Sequence, residues 1–139
     1  MSHYDIDVLG HRQQPFFRAR YVQGRVQVEG DRTCKIGQQL PGPAPAQSDG
    51  LFLAWSWDGE RLVLRNDHYG FSPVFFSTYG QEIHVSPSIE EVLRGNAPKE
   101  LDYAALAVIL RMGHPIGDDT PFLHVRALPP ASTLIWKNG

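Results

Sequence analysis

The most constraining stretch of this chain is Arg65-Asn66-Asp67-His68-Tyr69-Gly70-Phe71-Ser72-Pro73-Val74-Phe75-Phe76, where a polar break with the spacing D-x-x-G-x-x-P separates two apolar, strand-like runs. Its chemistry is that of a shaped turn. Asp67 can accept backbone N–H groups, and Gly70 can take a positive φ. Pro73 fixes φ and has no N–H to donate, so it suits the first residue of a new strand. A chain built around this turn folds back between strands and cannot run through the region as one helix.

The flanking sequence reads mostly as strands. Tyr4 to Leu9 alternates weakly, and Phe16 to Val22 and Arg25 to Glu29 form a hairpin around Gln23-Gly24. From Gln38 to Asp49, closely spaced prolines predict an exposed loop. Leu51 to Trp57 and Arg61 to Arg65 pair across Asp58-Gly59, and Val74 to Thr78 and Gln81 to Val85 across Tyr79-Gly80. The period then changes. Ser86-Pro87 offers an N-cap with Pro at N1, and Ser88 with Glu91 an alternative capping box, for a short helix ending near Gly95. Asp102 caps a second helix to about Met112, with Tyr103, Leu106, Ile109 and Leu110 on one apolar face and Gly113 and Pro115 as stops. Ser132 to Trp136 closes as a strand. Strand hairpins followed by two late helices predict an α+β domain in which β dominates.

The turn resembles R-D-x-x-G-x-x-P-L-Y-Y of the amino-terminal glutaminase domain of the asparagine synthetase family, a class II glutamine amidotransferase domain. Further blocks follow in the family's order. Gly50 to Asp58 resembles G-x-F-A-F-A-L-W-D, and Gly80 to Leu93 resembles G-x-x-L-x-F-A-S-E-I-K-A-L-L. Glu100 to Leu106, Met112 to Gly117, Thr120 to Phe122 and Val125 to Ala131 are similar to E-L-D-x-x-A-L, G-Y-x-P-G, T-x-F and V-x-x-L-P-P-G. The match is clear over residues 50–139, and residues 1–49 carry no family motif. The resemblance implies a single glutaminase-like domain over residues 1–139. It also implies the N-terminal-nucleophile fold, with two facing antiparallel sheets and here reduced helical layers. Asp67, Gly70 and Pro73 then form a structural motif, not a catalytic one.

Glutaminases of this family use an amino-terminal cysteine whose thiolate attacks the glutamine amide while its own α-amine acts as base. Residue 2 is Ser2, and the one thiol, Cys34, is internal and reads as a small apolar residue or idle thiol. The N-G-E-I-Y-N and S-D-x-E segments that line the family's glutamine pocket have no counterpart. The expectation is therefore a degenerate glutaminase-like scaffold with no catalytic residue of its own. The alternative is an active amidohydrolase using Ser2, since a terminal serine with a free α-amine is a workable nucleophile. A third reading is a small-ligand module using the vacant cleft.

The family's carboxy-terminal ATP-pyrophosphatase domain carries S-G-G-x-D-S, which this sequence lacks. ATP and magnesium are thus expected only in a synthetase partner, and this chain is expected to hold no cofactor. Exposed apolar residues between Pro115 and Pro130 would mark the partner face. The six histidines show no metal-ligand spacing, so no metal site is expected. Asp118-Asp119 is expected to face water, His68 to be a polar or solvent-facing residue of the turn, and Arg65 to pair with Asp67. A net charge of −2 with interspersed signs gives no nucleic-acid footprint. No apolar run reaches membrane-span length and no secretory signal is evident, so the expected address is the cytoplasm. With Cys34 alone, no intramolecular disulfide is possible.

Overall fold

A computed structural model of the chain describes residues 14–42 and 48–137. Nine strands and two helices are found among them, in two antiparallel sheets. The first sheet has the order β2-β1-β7-β6-β8, from β1 (Phe17–Val22), β2 (Arg25–Gly30), β6 (Phe75–Ser77), β7 (Glu82–Ser86) and β8 (Arg126–Ala127). The second has the order β3-β4-β5-β9, from β3 (Thr33–Pro41), β4 (Ser48–Trp57), β5 (Arg61–Asn66) and β9 (Thr133–Lys137).

Alternation within strands builds the core. Phe17, Ala19, Ile83 and Val85 from the first sheet meet Leu53, Trp55, Trp57, Leu62 and Leu64 from the second in one buried cluster. Phe17 and Trp57 touch across it, with ring centroids 5.5 Å apart. The two sheets therefore face each other, as expected, and the domain is α+β with few helices.

Local signals placed most turns. Gln23 and Gly24 have φ of 49° and 76°, the two positive values a tight hairpin of this kind requires. Ser88 caps α1 (Ile89–Val92) by accepting from the Glu91 amide, but the box is not closed, because the Ser88 amide donates to Ser86 Oγ and the Glu91 carboxylate pairs with Arg94. Asp102 caps α2 (Tyr103–Met112) through the Ala105 amide, and Gly113 ends it at φ 81°.

Four expectations are corrected. The loop expected from Gln38 is shorter, because β3 runs on to Pro41 and pairs residue by residue with β4. Pro41 is tolerated at the end of an edge strand, where no ladder donor is needed. The Asp58-Gly59 turn is shifted by one residue. The Asp58 amide donates to the Arg61 carbonyl and Asp58 Oδ1 accepts from the Glu60 and Arg61 amides, leaving Gly59-Glu60 as the loop. β6 begins at Phe75 and not at Pro73. The predicted apolar face of α2 is only partly covered: Leu106 and Ile109 are half-buried, whereas Tyr103 is 77% and Leu110 84% exposed, and Ala105 is the fully buried residue of the helix. The expected strand from Tyr4 to Leu9 lies outside the described residues.

Candidate functional site

Two chain segments cross from one sheet to the other side by side. Residues 66–74 carry the chain from β5 to β6, and residues 128–132 carry it back from β8 to β9. Both belong to the motif blocks noted in the sequence, and they are bound to each other.

Asp67 is the centre of the crossing and is almost completely buried. Its Oδ1 accepts the Tyr69 amide at 2.8 Å and the Phe71 amide at 3.3 Å, and its Oδ2 accepts the Phe52 amide at 3.2 Å. Its backbone is tied as well: the Asp67 amide donates to the Phe52 carbonyl, and the Asp67 carbonyl accepts the Gly70 and Ala131 amides. Burial pushes the Asp67 pKa up, but the amide donors of Phe71, Tyr69, Phe52 and Gly70 outweigh it and leave the carboxyl below its ordinary value. A carboxylate stabilised in this way is a poor proton acceptor. Asp67 is an organiser of backbone.

Gly70 sits at φ 62°, and a Cβ there would stand 2.8 Å from Cγ of Pro130. Glycine is thus required twice over, for conformation and for the approach of the returning segment. Pro73 is exposed and directs the chain into buried Val74, whose carbonyl accepts the Leu128 amide. The expected pairing of Arg65 with Asp67 does not occur. Arg65 lies on the outer face of the second sheet, whereas Asp67, past the end of β5, gives its carboxylate to the amides of Phe52, Tyr69 and Phe71. His68 is exposed against the Tyr69 ring, as expected.

Sequence reasoning missed Asn66. It is buried, its Nδ2 donates to the carbonyls of Leu128 and Pro129, and its Oδ1 accepts the Ser132 amide at 2.9 Å. An amide side chain supplies donor and acceptor at once, which a double-sided backbone clamp needs. The only signal available was a polar residue ending an apolar strand.

The outer face of the first sheet holds a second buried polar group. Glu82 accepts the amide and the side-chain Nδ2 of Asn96. His84 is only 2% exposed, and neither ring nitrogen has a hydrogen-bond partner; nor has Oγ of Ser77, its register partner on β6. Burial, then the charge of Arg18, pulls the His84 pKa down to about 4, with Glu29 opposing. His84 is neutral at physiological pH.

Ser2 lies outside the described residues. Cys34 is the second residue of β3, half-buried against the core, and burial followed by the charge of Asp31 pushes its thiol pKa up. A thiol so placed is a weak nucleophile. Asp119 does more than face water, since Oδ1 accepts from Arg126 at 2.6 Å, while His124 meets Glu100 at 2.9 Å. No group of three or more metal-ligating side chains occurs among the described residues. No helix among them is long and apolar enough to cross a membrane.

Residues 43–139, well over half of the chain, match the family described as "Glutamine amidotransferase domain". That span holds both crossing segments. No curated protein matches the chain.

Proposed function

The chain belongs to the glutamine amidotransferase domain family, and from that premise we propose that it is a degenerate, asparagine-synthetase-like member which supports an ATP-dependent amide-forming partner without hydrolysing glutamine itself. In this reading the two facing sheets are an N-terminal-nucleophile scaffold kept for its shape. The tight crossing at Asp67 and Asn66 is retained because it holds the sheets together. Cys34, the chain's one thiol, is held at the start of the β3 ladder with a raised pKa and is unsuited to attack on an amide.

One observation carries the scaffold role: several large apolar residues of α2 and its flanks stand in solvent. Tyr103, Leu110 and Met112 are exposed on the helix, and Leu101, Ile116 and Leu123 are exposed on the segments beside it in sequence. Extended apolar surface on a free domain marks a contact site. Its occupant in this proposal is a cytoplasmic ATP-pyrophosphatase domain of the asparagine synthetase type, and ATP and magnesium belong to that partner.

Two measurements test the reading. Binding to such a synthetase domain, followed by calorimetry, should be abolished by Leu110→Asp and kept by a substitution on β2 such as Gln27→Ala. Ammonia release from glutamine should be absent from the native chain. Release that disappears in Ser2→Ala would replace the scaffold with an amidohydrolase acting through the terminal serine.

A further inference from the structure

Helix α1 packs against β6 and β7 of the first sheet, whereas no helix among the described residues makes comparable contact with the second sheet. Register lines up the side chains of the second sheet's outer face in rows. Lys35 on β3, Ala54 on β4, Arg65 on β5 and Thr133 on β9 are successive partners, and so are Thr33, Ser56, Val63 and Ile135. The charged strand residues on the face are Lys35, Arg61, Arg65 and Lys137, all cationic. Arg61 is paired with Asp58, whereas Lys35, Arg65 and Lys137 make no ion pair among the described residues. In a chain of net charge −2, the strand positions of this face thus carry charge of one sign.

The small side chains of Ala54 and Ser56 make β4 the floor of a groove, with Thr33 and Lys35 as one wall and Val63 and Arg65 as the other. The walls stand two strand spacings apart, roughly 10 Å. An α-helix with side chains is about 10–12 Å wide. We propose that this groove docks an amphipathic helix of a partner protein, with small apolar residues on Ala54 and Val63 and carboxylates on its two flanks reaching Lys35 and Arg65. Charge complementarity selects the occupant: two unpaired cations on opposite walls are met at once by acids on both sides of a helix, and a helix with lysine flanks is repelled. A nucleic acid fits less well, because the aromatic residues lining the groove, Phe52 and Trp55, are each only 2% exposed and offer no free ring face for a base to stack on. The site uses residues other than α2, so its failure leaves the scaffold reading intact.

The test uses the full chain and two synthetic 18-residue helical peptides with the same alanine and leucine stripe, one flanked by glutamate and one by lysine. Amide chemical shifts are followed by NMR during titration. The glutamate peptide should shift Ala54, Ser56 and Val63 saturably, and Arg65→Glu should weaken it about tenfold or more while leaving the melting temperature unchanged. The Lys35→Glu/Arg65→Glu double variant should prefer the lysine peptide. Equal binding of both peptides, shifts confined to Tyr103–Met112, or no saturation at millimolar peptide would overturn the proposal. Tighter occupation of the groove by an oligonucleotide would overturn it in favour of a nucleic-acid surface.

Discussion

The carboxylate of Asp67 accepts the amide of Phe52 at 3.2 Å, while the Asp67 amide donates back to the Phe52 carbonyl at 2.9 Å. This reciprocal pair ties the sheet crossing to the middle of β4, fifteen residues earlier in the chain. It fixes where the chain leaves the second sheet.

Asp67→Asn should therefore destabilise the domain by about 2–3 kcal/mol, since one carboxylate oxygen becomes a donor facing buried N–H groups. Urea unfolding followed by tryptophan fluorescence measures it. A loss under about 0.5 kcal/mol would show that the amide cradle is not what holds the crossing.

Gly70→Ala and Gly80→Ala form a controlled pair. Both glycines have nearly equal positive φ, 62° and 64°, but only Gly70 would bring a Cβ against Pro130. Gly80→Ala should cost about 1–2 kcal/mol from conformation alone. Gly70→Ala should cost clearly more, and equal losses would remove the steric role given to Pro130.

Ala131 holds φ 55° in the returning segment, at the position where the resembled family pattern has glycine. The left-handed conformation strains a Cβ, so Ala131→Gly should be neutral to stabilising, by up to about 1 kcal/mol. Thermal unfolding checks this, and a marked fall in melting temperature would contradict it.

His84 gives the domain a defined acid sensitivity. Its pKa falls from 6.5 to about 4 on folding, so between these values the unfolded chain binds a proton that the folded chain does not. Stability is then full above pH 6.5, declines as pH falls, and the decline from this group ends near pH 4. The span corresponds to about 3 kcal/mol. Asp67, whose pKa is lowered from 3.8, adds a separate loss only at more acid pH. His84→Gln should flatten the profile between pH 6.5 and 4 while leaving the more acid loss in place. An unchanged slope would mean that His84 is not the group responsible.

The exposed face of α2 predicts an asymmetry within one helix. Leu110→Glu should change stability by no more than about 0.5 kcal/mol, because the side chain is already in solvent. Ala105→Leu should cost about 1–3 kcal/mol by overpacking the helix's buried contact. Equal effects would place α2 differently.

What the sequence determined by itself is local. The hairpin at Gln23-Gly24, the caps at Ser88 and Asp102, the stop at Gly113 and the turn chemistry of Asp67 and Gly70 all follow from φ preferences and hydrogen bonds within a few residues, whereas the turn expected at Tyr79-Gly80 lies one residue on, at Gly80-Gln81. The motif blocks also gave the family. Tertiary structure alone decided which faces are covered and which crossings meet. Alternation along β7 assigns Glu82, His84 and Ser86 to one face, but only tertiary packing of α1, the turn after it and the Pro15-Phe16 segment makes that face an interior and depresses the His84 pKa. Likewise, the 3.6-residue period of α2 marks an apolar stripe without saying that anything covers it. Asn66 and Ser132 are sixty-six residues apart, so no local pattern could pair them. Their clamp exists because two chain crossings, each specified on its own, are brought side by side by the packing of the sheets.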